Sequence, residues 1–227
     1  MRQHVNPLSS YFQLPISLPS PKELFANSAL PIHLDIGSAR GKFLLSMASL
    51  DCSRNYLGVE IRKPLVISAE KERAELGLSN LKFIFCNANV SLESWLCNLP
   101  TNCLEMVSIQ FPDPWFKKRH QKRRVLQPSL LLALANKLQP RSKLFMQSDI
   151  KGVLDGMKSL VETSGCFDST CDLNKISLEK SPFPITTERE AYVLANGLPI
   201  YRALYSRNYI PIPDLLKLEK AYQSFQF

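Results

Sequence analysis

The sequence predicts an α/β protein built on a doubly wound, mostly parallel sheet. Short apolar runs rich in β-branched and aromatic residues alternate with segments of helical periodicity, which is typical of repeated βαβ units. Polar or acidic residues follow several of the apolar runs, and in such sheets ligands bind outside the carboxyl ends of the strands. The length of 227 residues is that of one domain with a full hydrophobic core.

The predicted elements follow one another in regular order. Strands are predicted at residues 31–37, 55–60, 81–88, 104–111, 144–149 and 199–205. Helices are predicted at residues 41–48, 64–76, 92–99, 128–138 and 150–164. Proline is favoured in the first turn of a helix, where its missing N–H costs nothing, so Pro64 and Pro128 mark helix starts. We expect one domain at residues 31–212, an extension at residues 1–30 and a tail helix at residues 213–227.

Positive charge is concentrated in one segment. The formal net charge is +8, and residues 117–124 alone supply +6, which leaves +2 over the other 219 residues. A local excess of this kind favours a binding patch for a polyanion over a generally basic protein. The simpler alternative is a solvated basic loop.

The cysteines and the two ends of the sequence indicate the cellular compartment in which the protein works. Six cysteines include no C-x-x-C pair and accompany three histidines, so no metal site is expected. Cysteines in apolar runs indicate small buried side chains in a reducing compartment, here the cytoplasm. No segment has the apolar length of a membrane span, and no signal peptide is present. Residues 1–30 are rich in Ser and Pro; they suit a transit peptide or a packed extension, and the lack of arginine enrichment favours the extension.

The first half of the chain carries a candidate cofactor edge. Gly37 opens a G-S-A-R-G turn after the first predicted strand, and Glu60 closes the second. A glycine lets the backbone approach a ligand, and a carboxylate at the second strand can accept from both ribose hydroxyls. Asp35 could hold an ammonium group, and Asn87 with Ala88 could receive an adenine edge. The G-x-G-x-x-G dinucleotide fingerprint is absent, so S-adenosylmethionine, which has no pyrophosphate, fits better.

The fourth predicted strand runs into an acidic and basic loop. Asp113 stands between Pro112 and Pro114 and is followed by Trp115 and the basic segment of residues 117–124. A carboxylate at the carboxyl end of a strand, beside dense positive charge, suits a site acting on a polyanion. Trp115 has two readings, stacking on a base and packing between the prolines.

Several segments together resemble the bacterial-type tRNA (guanine-N7)-methyltransferases. The most specific is PDPWFKKRHQKRR at residues 112–124, and the similarity extends from about residue 34 to residue 202. The other matching segments are D-I-G at 35–37, G-V-E at 58–60, N-A at 87–88, Q-S-D at 147–149, T-E-R-E at 187–190 and G-L-P-I-Y-R at 197–202. The resemblance implies a class I Rossmann-like methyltransferase that moves a methyl group from S-adenosylmethionine to N7 of a guanine in the tRNA variable loop.

The resemblance also implies roles, residue by residue. The cofactor side comprises Asp35, Glu60, Asn87 and Asp113. The side of the guanine or its nucleotide comprises Lys117, Asp149, Thr187, Arg189 and Glu190. Two positions depart from the family pattern: an aspartate is common where Asn87 stands, and an aromatic residue is frequent where Arg189 stands.

The chemistry of the implied reaction indicates separate roles for Asp113 and for the cations that follow it. Guanine N7 has a free lone pair, so methyl transfer needs no proton abstraction, and we expect Asp113 to orient the base and stabilise positive charge. An ammonium beside a ring that becomes positive would oppose the reaction, so the cations should contact phosphates. These phosphate-binding residues are Lys118, Arg119, His120, Lys122, Arg123 and Arg124.

Two other functions stay open at this point. Residues 113–115 are similar to the D-P-P-[FYW] loop of methyltransferases that act on exocyclic amines, although the second proline is absent. A noncatalytic RNA-binding module is the other alternative, and the acidic cofactor edge counts against it. Single residues also have structural readings: Asp149 can cap a helix, and T-x-x-E at 187–190 is a helix capping box. We expect tRNA as partner, no membrane, no metal, and a monomer or homodimer.

Overall fold

The computed structural model describes residues 5–115, 117–170 and 178–224, apart from the side chains of Lys118, Gln223 and Ser224. Within this part, seven strands form one sheet in the order β3-β2-β1-β4-β5-β7-β6. The strands are β1 (Ile32–Ile36), β2 (Asn55–Glu60), β3 (Leu81–Phe85), β4 (Leu104–Gln110), β5 (Lys143–Ser148), β6 (Phe167–Ser169) and β7 (Tyr201–Arg207). Strands β1 to β5 pair in parallel, and β7 runs antiparallel to both β5 and β6. The predicted mostly parallel α/β sheet is confirmed.

Eight α-helices are present in the described residues. They are α1 (Pro21–Leu24), α2 (Lys42–Leu50), α3 (Lys63–Glu75), α4 (Ala88–Asn98), α5 (Pro128–Lys137), α6 (Lys151–Ser164), α7 (Glu188–Ala195) and α8 (Leu215–Ser224). Helices α2 and α3 pack on one face of the sheet, and α4, α5, α6 and α8 supply the core on the other face. Helix α8 buries Leu218 and Tyr222 against α5 and α6, so the amphipathic tail is part of the fold. No helix of the described residues has both the length and the apolar character needed to cross a membrane.

The element boundaries correct the sequence prediction at four places. The third strand ends at Phe85, because Asn87 accepts a hydrogen bond from the Asn89 amide and begins α4. The last predicted strand starts at Tyr201 and runs to Arg207. Strand β6 was not predicted, since its three residues carry no alternating pattern. The basic segment is a 3₁₀ helix, Lys118–Arg123, where a loop was expected.

Three of the cysteines support the interpretation made from the sequence. Cys86, Cys103 and Cys166 are buried as free thiols, and burial raises the pKa of each of them. Cys52 and Cys97 are exposed, and Cys171 lies outside the described residues. Raised thiol pKa values make these buried cysteines inert packing groups.

Candidate active site

A crevice lies across the carboxyl ends of β1, β2 and β4. Its space is about 780 Å³, counting the open mouth. Five of the six residues predicted for the cofactor line it: Gly37, Glu60, Asn87, Ala88 and Asp113. They meet there because parallel strands present their carboxyl ends at one edge of the sheet.

The turn after β1 brings bare backbone to the crevice. Gly37 has φ +89°, and a β-carbon built on it would meet no atom within 4 Å. Its amide and that of Ser38 both donate to the Val59 carbonyl, at 2.8 and 3.1 Å, which fixes the turn against β2. At the other end of the turn, Gly41 has φ +74°, and an added β-carbon would lie 2.5 Å from the ring of Phe83. Gly37 therefore leaves room for a ligand, whereas Gly41 serves packing.

Glu60 places a carboxylate in the crevice, only 3% exposed. Its Oε2 accepts from the Ala39 amide at 2.9 Å and from Nη2 of Arg62 at 3.0 Å. Its Oε1 accepts from both the amide and Nε of Arg62, each at 2.9 Å. The hydrogen bonds to Glu60 raise the pKa of Arg62, and the nearby charge of Asp113 raises it further. Because Arg62 is partly exposed, it can turn outward and free acceptor positions for hydroxyl groups.

Asp35 lies beneath the crevice and is not among its lining residues. Its Oδ1 accepts from Oγ of Ser108 at 2.6 Å and from Nε2 of Gln110 at 3.3 Å. Burial raises the pKa of Asp35 to about 6, against the lowering effect of these two hydrogen bonds. The next polar group, His33, contacts the same Ser108 Oγ at 2.8 Å, and burial lowers the pKa of His33 to about 3. Asp35 is thus a buried acid at the floor of the crevice whose pKa burial holds above its ordinary value.

The side chain of Asn87 faces the N-terminal extension, where an adenine contact was expected. Its Nδ2 donates to the carbonyls of Pro7 and Phe12, each at 3.1 Å, while its Oδ1 caps α4. Pro7 and Val5 line the crevice beside Ala88. The extension is therefore an outer wall of the crevice, and the backbone of residues 87–88 is the part of this segment left for a ligand edge.

Asp113 is half-buried at the rim of the crevice. Phe111 precedes it with φ +49°, a left-handed conformation that turns the chain sharply after β4. Asp113 also lines a second, mostly apolar pocket between its loop, α6 and the tail helix, next to Gly156 and Tyr222. The two prolines and the turn at Phe111 hold this carboxylate at the boundary between the two spaces.

The structure divides the basic segment into an outer and an inner group. Lys117, Arg119 and Lys122 are exposed. Arg123 lies over the ring of Trp115, 5.0 Å from its centroid, and lines the crevice. Arg124 donates from Nε to the Trp115 carbonyl at 3.2 Å and from Nη1 to Tyr222 Oη at 3.5 Å.

Arg123 and Arg124 contact Trp115 within the loop, and His120 packs edge-on to the ring of Trp115 with ring centroids 5.4 Å apart. The phosphate contacts of these three residues stay predictions. Trp115 packs in the loop and also borders the crevice, and its stacking on a base stays a prediction. The side chain of Lys118 lies outside the described part of the chain.

Four of the five residues predicted for the nucleotide, all except Lys117, lie outside the crevice near the ends of β5 and β7. Asp149 follows β5 and forms an ion pair with Arg189, whose guanidinium also lies over Tyr192 at 5.1 Å. Thr187 begins α7, and its Oγ1 accepts from the Glu190 amide at 3.0 Å. The capping-box reading of residues 187–190 is confirmed.

Glu190 is buried and its carboxylate is held by neighbouring protein groups, while its contact with the nucleotide stays a prediction. It is 2% exposed, and Nη2 of Arg202 donates to its Oε1 at 2.7 Å. Its Oε2 accepts from Nε2 of Gln147 at 3.2 Å and from the Thr187 amide at 3.4 Å. Arg202, Gln147 and Gln110 escaped sequence reasoning, although a signal existed: polar residues at alternate positions of otherwise buried strands.

No group of three or more metal-binding side chains exists among the residues that the structure covers. The polar groups that line the crevice, at the edge of the parallel sheet, are carboxylates, amides and guanidinium groups.

Two solved methyltransferases share this fold. The 16S rRNA methyltransferase KamB superposes with a TM-score of 0.54 at 13% identity, covering 83% of this chain and 91% of the other. A precorrin-6y C5,15-methyltransferase from Geobacter metallireducens gives 0.50 at 12% identity, covering 84% and 94%. These likenesses show the fold that the chain shares with the two methyltransferases.

Sequence comparison gives the family. The profile of a family described as "Putative methyltransferase" matches residues 29–203, and the chain belongs to this family. A tRNA (guanine-N(7)-)-methyltransferase of Prochlorococcus marinus (strain MIT 9313) is 59% identical over 223 residues, which cover 98% of this chain and 94% of the relative. The protein of the same name from Synechococcus sp. (strain WH7803) is 58% identical over the same shares of both chains.

Proposed function

We propose that this protein transfers a methyl group from S-adenosylmethionine to N7 of a guanine in the variable loop of tRNA. One observation carries the proposal: Asp113 stands at the rim of the crevice, and the exposed cations Lys117, Arg119 and Lys122 follow it directly. The relatives named for this activity, 59% and 58% identical over nearly the whole chain, support it.

The lining of the crevice fits the proposed cofactor. Gly37 leaves open space above the turn, so an adenosyl group can approach the backbone. Glu60 would accept from the ribose hydroxyls once Arg62 turns outward, and the backbone at Ala88 would receive the adenine edge. Asp35 would attract the ammonium group from below. S-adenosylmethionine, when bound, supplies an activated methyl group on a positively charged sulfur.

The protein's contribution to the reaction is position and charge. Guanine N7 offers its own lone pair, so no residue has to remove a proton. Holding the base in line is worth effective molarities of roughly 10⁵ M or more. Asp113 orients the base by accepting from its N–H groups, and its negative charge stabilises the ring as that ring becomes positive.

The nucleotide and its strand are held by a second set of groups. Asp149 and Arg189, paired over the end of β5, offer an acceptor for the guanine edge and a cation for a phosphate. Lys117, Arg119 and Lys122 contact further phosphates. Both sets come from one chain, which supports action as a monomer or as a homodimer with separate sites. The proposed compartment is the cytoplasm, and no metal takes part.

One assay tests the proposal against both alternatives. The protein is incubated with unmodified tRNA and methyl-labelled S-adenosylmethionine, and the product is treated with borohydride and aniline, which cleave at N7-methylguanine. Label together with cleavage in the variable loop is expected. Label without cleavage would identify an exocyclic-amine methyltransferase, and tRNA binding without label would identify a noncatalytic RNA-binding module.

A further inference from the structure

A continuous row of polar side chains crosses the sheet beneath the two halves of the site. Asp35 accepts from Nε2 of Gln110 at 3.3 Å, and Oε1 of Gln110 accepts from Nε2 of Gln147 at 2.8 Å. The same Gln147 Nε2 donates to Glu190 at 3.2 Å, and Gln147 Oε1 accepts from Nε of Arg202 at 3.1 Å. Gln147 is the junction, because it alone bonds both to the crevice side and to the nucleotide side of this row.

The sheet register explains why the row is continuous. Gln110 pairs with Gln147 across β4 and β5, and Gln147 pairs with Arg202 across β5 and β7, so the three side chains emerge on one face. Gln147 is 0% exposed and Arg202 is 7% exposed. A polar row buried this deeply holds its geometry only while every member keeps its partners.

The far end of the row fixes helix α7. Glu190, in the first turn of α7, is bound by Arg202 and Gln147, and it closes the capping box with Thr187. Arg189, its neighbour in the same turn, carries the half-buried cation beside Asp149. The position of Arg189 over the site is therefore set by the buried contacts of Glu190.

Stability alone does not account for this row. A buried ion pair such as Glu190–Arg202 is often replaceable by apolar residues at no loss of stability, so its presence is weak evidence of a stabilising role. Hydrogen bonds of this kind next to a binding site hold its residues in the productive geometry.

We propose that Gln147 is a positioning residue of the methyl transfer: it ties the cofactor crevice to helix α7 and so sets the distance between methyl donor and nucleotide. The inference rests on the function proposed above. Both carboxylate oxygens of Glu190 hold protein groups, so Glu190 sets the position of α7 through Gln147 and Arg202.

The main variant is Gln147→Met, which keeps the length of the side chain and removes both the NH2 donor and the carbonyl acceptor of its amide group. We expect kcat to fall about tenfold, equivalent to about 1.4 kcal/mol, since the reacting atoms are no longer held in line. The KM for tRNA should rise severalfold, while the Kd for S-adenosylhomocysteine should change by less than about threefold, because Asp35 keeps its bond to Ser108.

Met146→Ala is the matched control. Met146 is the preceding residue of β5 and is equally buried. Its side chain lies in the core that α4, α5, α6 and α8 supply, on the opposite face of the sheet from Gln147. It should lower the Tm at least as much as Gln147→Met and leave kcat per folded molecule unchanged. Equal losses of kcat in both variants, or an unchanged kcat in Gln147→Met, would overturn the inference.

A second variant and a second readout separate this inference from the proposed function. In Gln147→Glu a carboxylate faces Glu190, which raises the pKa of the pair, so activity relative to wild type should recover as the pH falls and the new group regains a proton to donate. Hydrogen exchange of the Glu190 and Ala191 amides needs no turnover and should quicken about tenfold or more in Gln147→Met. Unchanged exchange there refutes the link even if wild type methylates tRNA, whereas inactive wild type with quickened exchange refutes only the proposed function.

Discussion

The substitution Asn87→Asp tests how the extension is attached to the crevice. Nδ2 of Asn87 donates to the carbonyls of Pro7 and Phe12, and an aspartate has no proton to donate there at neutral pH. Two neutral hydrogen bonds are worth about 1–3 kcal/mol together. The carbonyl oxygens of Pro7 and Phe12 would also face a negative charge, so the free energy that holds the extension in place should fall by at least that amount.

Helix α4 should not suffer from this change. An aspartate at position 87 still accepts from the Asn89 amide, and negative charge at a helix N-terminus is favourable by about 0.3–1 kcal/mol. The global free energy of unfolding should therefore change little, while local opening of the extension rises about fivefold to about a hundredfold, as every 1.4 kcal/mol is tenfold.

Hydrogen exchange measures the local effect. The amides of Phe12 and Ile16, which donate to Ser9 O and Ser91 Oγ, should exchange faster, and the Kd for S-adenosylhomocysteine should rise because Val5 and Pro7 form the crevice wall. The matched control is Asn89→Asp, which makes the same chemical change two residues later.

The control removes a different contact. The side chain of Asn89 donates to the Val125 carbonyl at 2.9 Å and makes no hydrogen bond to the described residues of the extension, so its substitution should leave exchange at residues 5–16 unchanged. Unchanged exchange at those residues in Asn87→Asp would show that the Tyr11 and Phe12 rings on Phe85 hold the extension by themselves, and the reasoning about Asn87 would fail.

Three further outcomes follow from the same structure. Asp113→Ala should abolish methylation while tRNA affinity stays within about threefold, measured by filter binding; a large loss of affinity would contradict its assigned role. Alanine at Lys117, Arg119 and Lys122 together should weaken tRNA binding and lower the salt slope of log K by about 2, at about 0.7 per phosphate contact, and an unchanged slope would remove the phosphate role. Burial raises the pKa of Asp35 to about 6, so affinity for S-adenosylhomocysteine should fall as the pH drops through 6, and calorimetry should find this dependence lost in Asp35→Asn.

The raised pKa of Asp35 also has a definite sign for stability. A folded-state pKa above the ordinary 3.8 means that the folded chain binds more protons, so the contribution of Asp35 is greatest at low pH and is lost as the pH rises to about 6. His33 has the opposite sign: its pKa is lowered from 6.5 to about 3, so its contribution is lost as the pH falls. The two slopes oppose each other between about pH 4 and pH 6.

The sheet could be predicted from sequence because buried parallel strands are nearly continuous apolar runs. Strands β1, β2, β4 and β5 combine such runs with polar residues just past their ends, and these two local signals also placed Gly37, Glu60 and Asp113 at one edge. Strand β6 has neither signal, since it is three residues long and two of them are exposed.

The partners of the site residues could not be predicted, because they are not local. The side chain of Asn87 bonds to Pro7 and Phe12, which lie 80 and 75 positions away in the sequence, and no pattern near Asn87 indicates these partners. The inward turn of Arg124 likewise depends on Tyr222, 98 positions later. Sequence patterns give the strand ends where a site forms, whereas the choice between a ligand and a protein partner depends on contacts between distant segments.

The two arginines that meet acids around helix α7 show what that choice means for function. The Glu190–Arg202 pair has side chains 2% and 8% exposed, so parting its charges without replacement is costly and the pair stays closed. In the Asp149–Arg189 pair the carboxylate is 8% exposed but the arginine is 33% exposed, and the buried Nε of Arg189 has no hydrogen-bond partner in the described structure. Water reaches the arginine of this pair, so opening it costs less than opening the Glu190–Arg202 pair. Residues 187–190 therefore contain one member of a closed buried pair and one member of a pair that can open, and the second is the one that the proposed function assigns to the nucleotide.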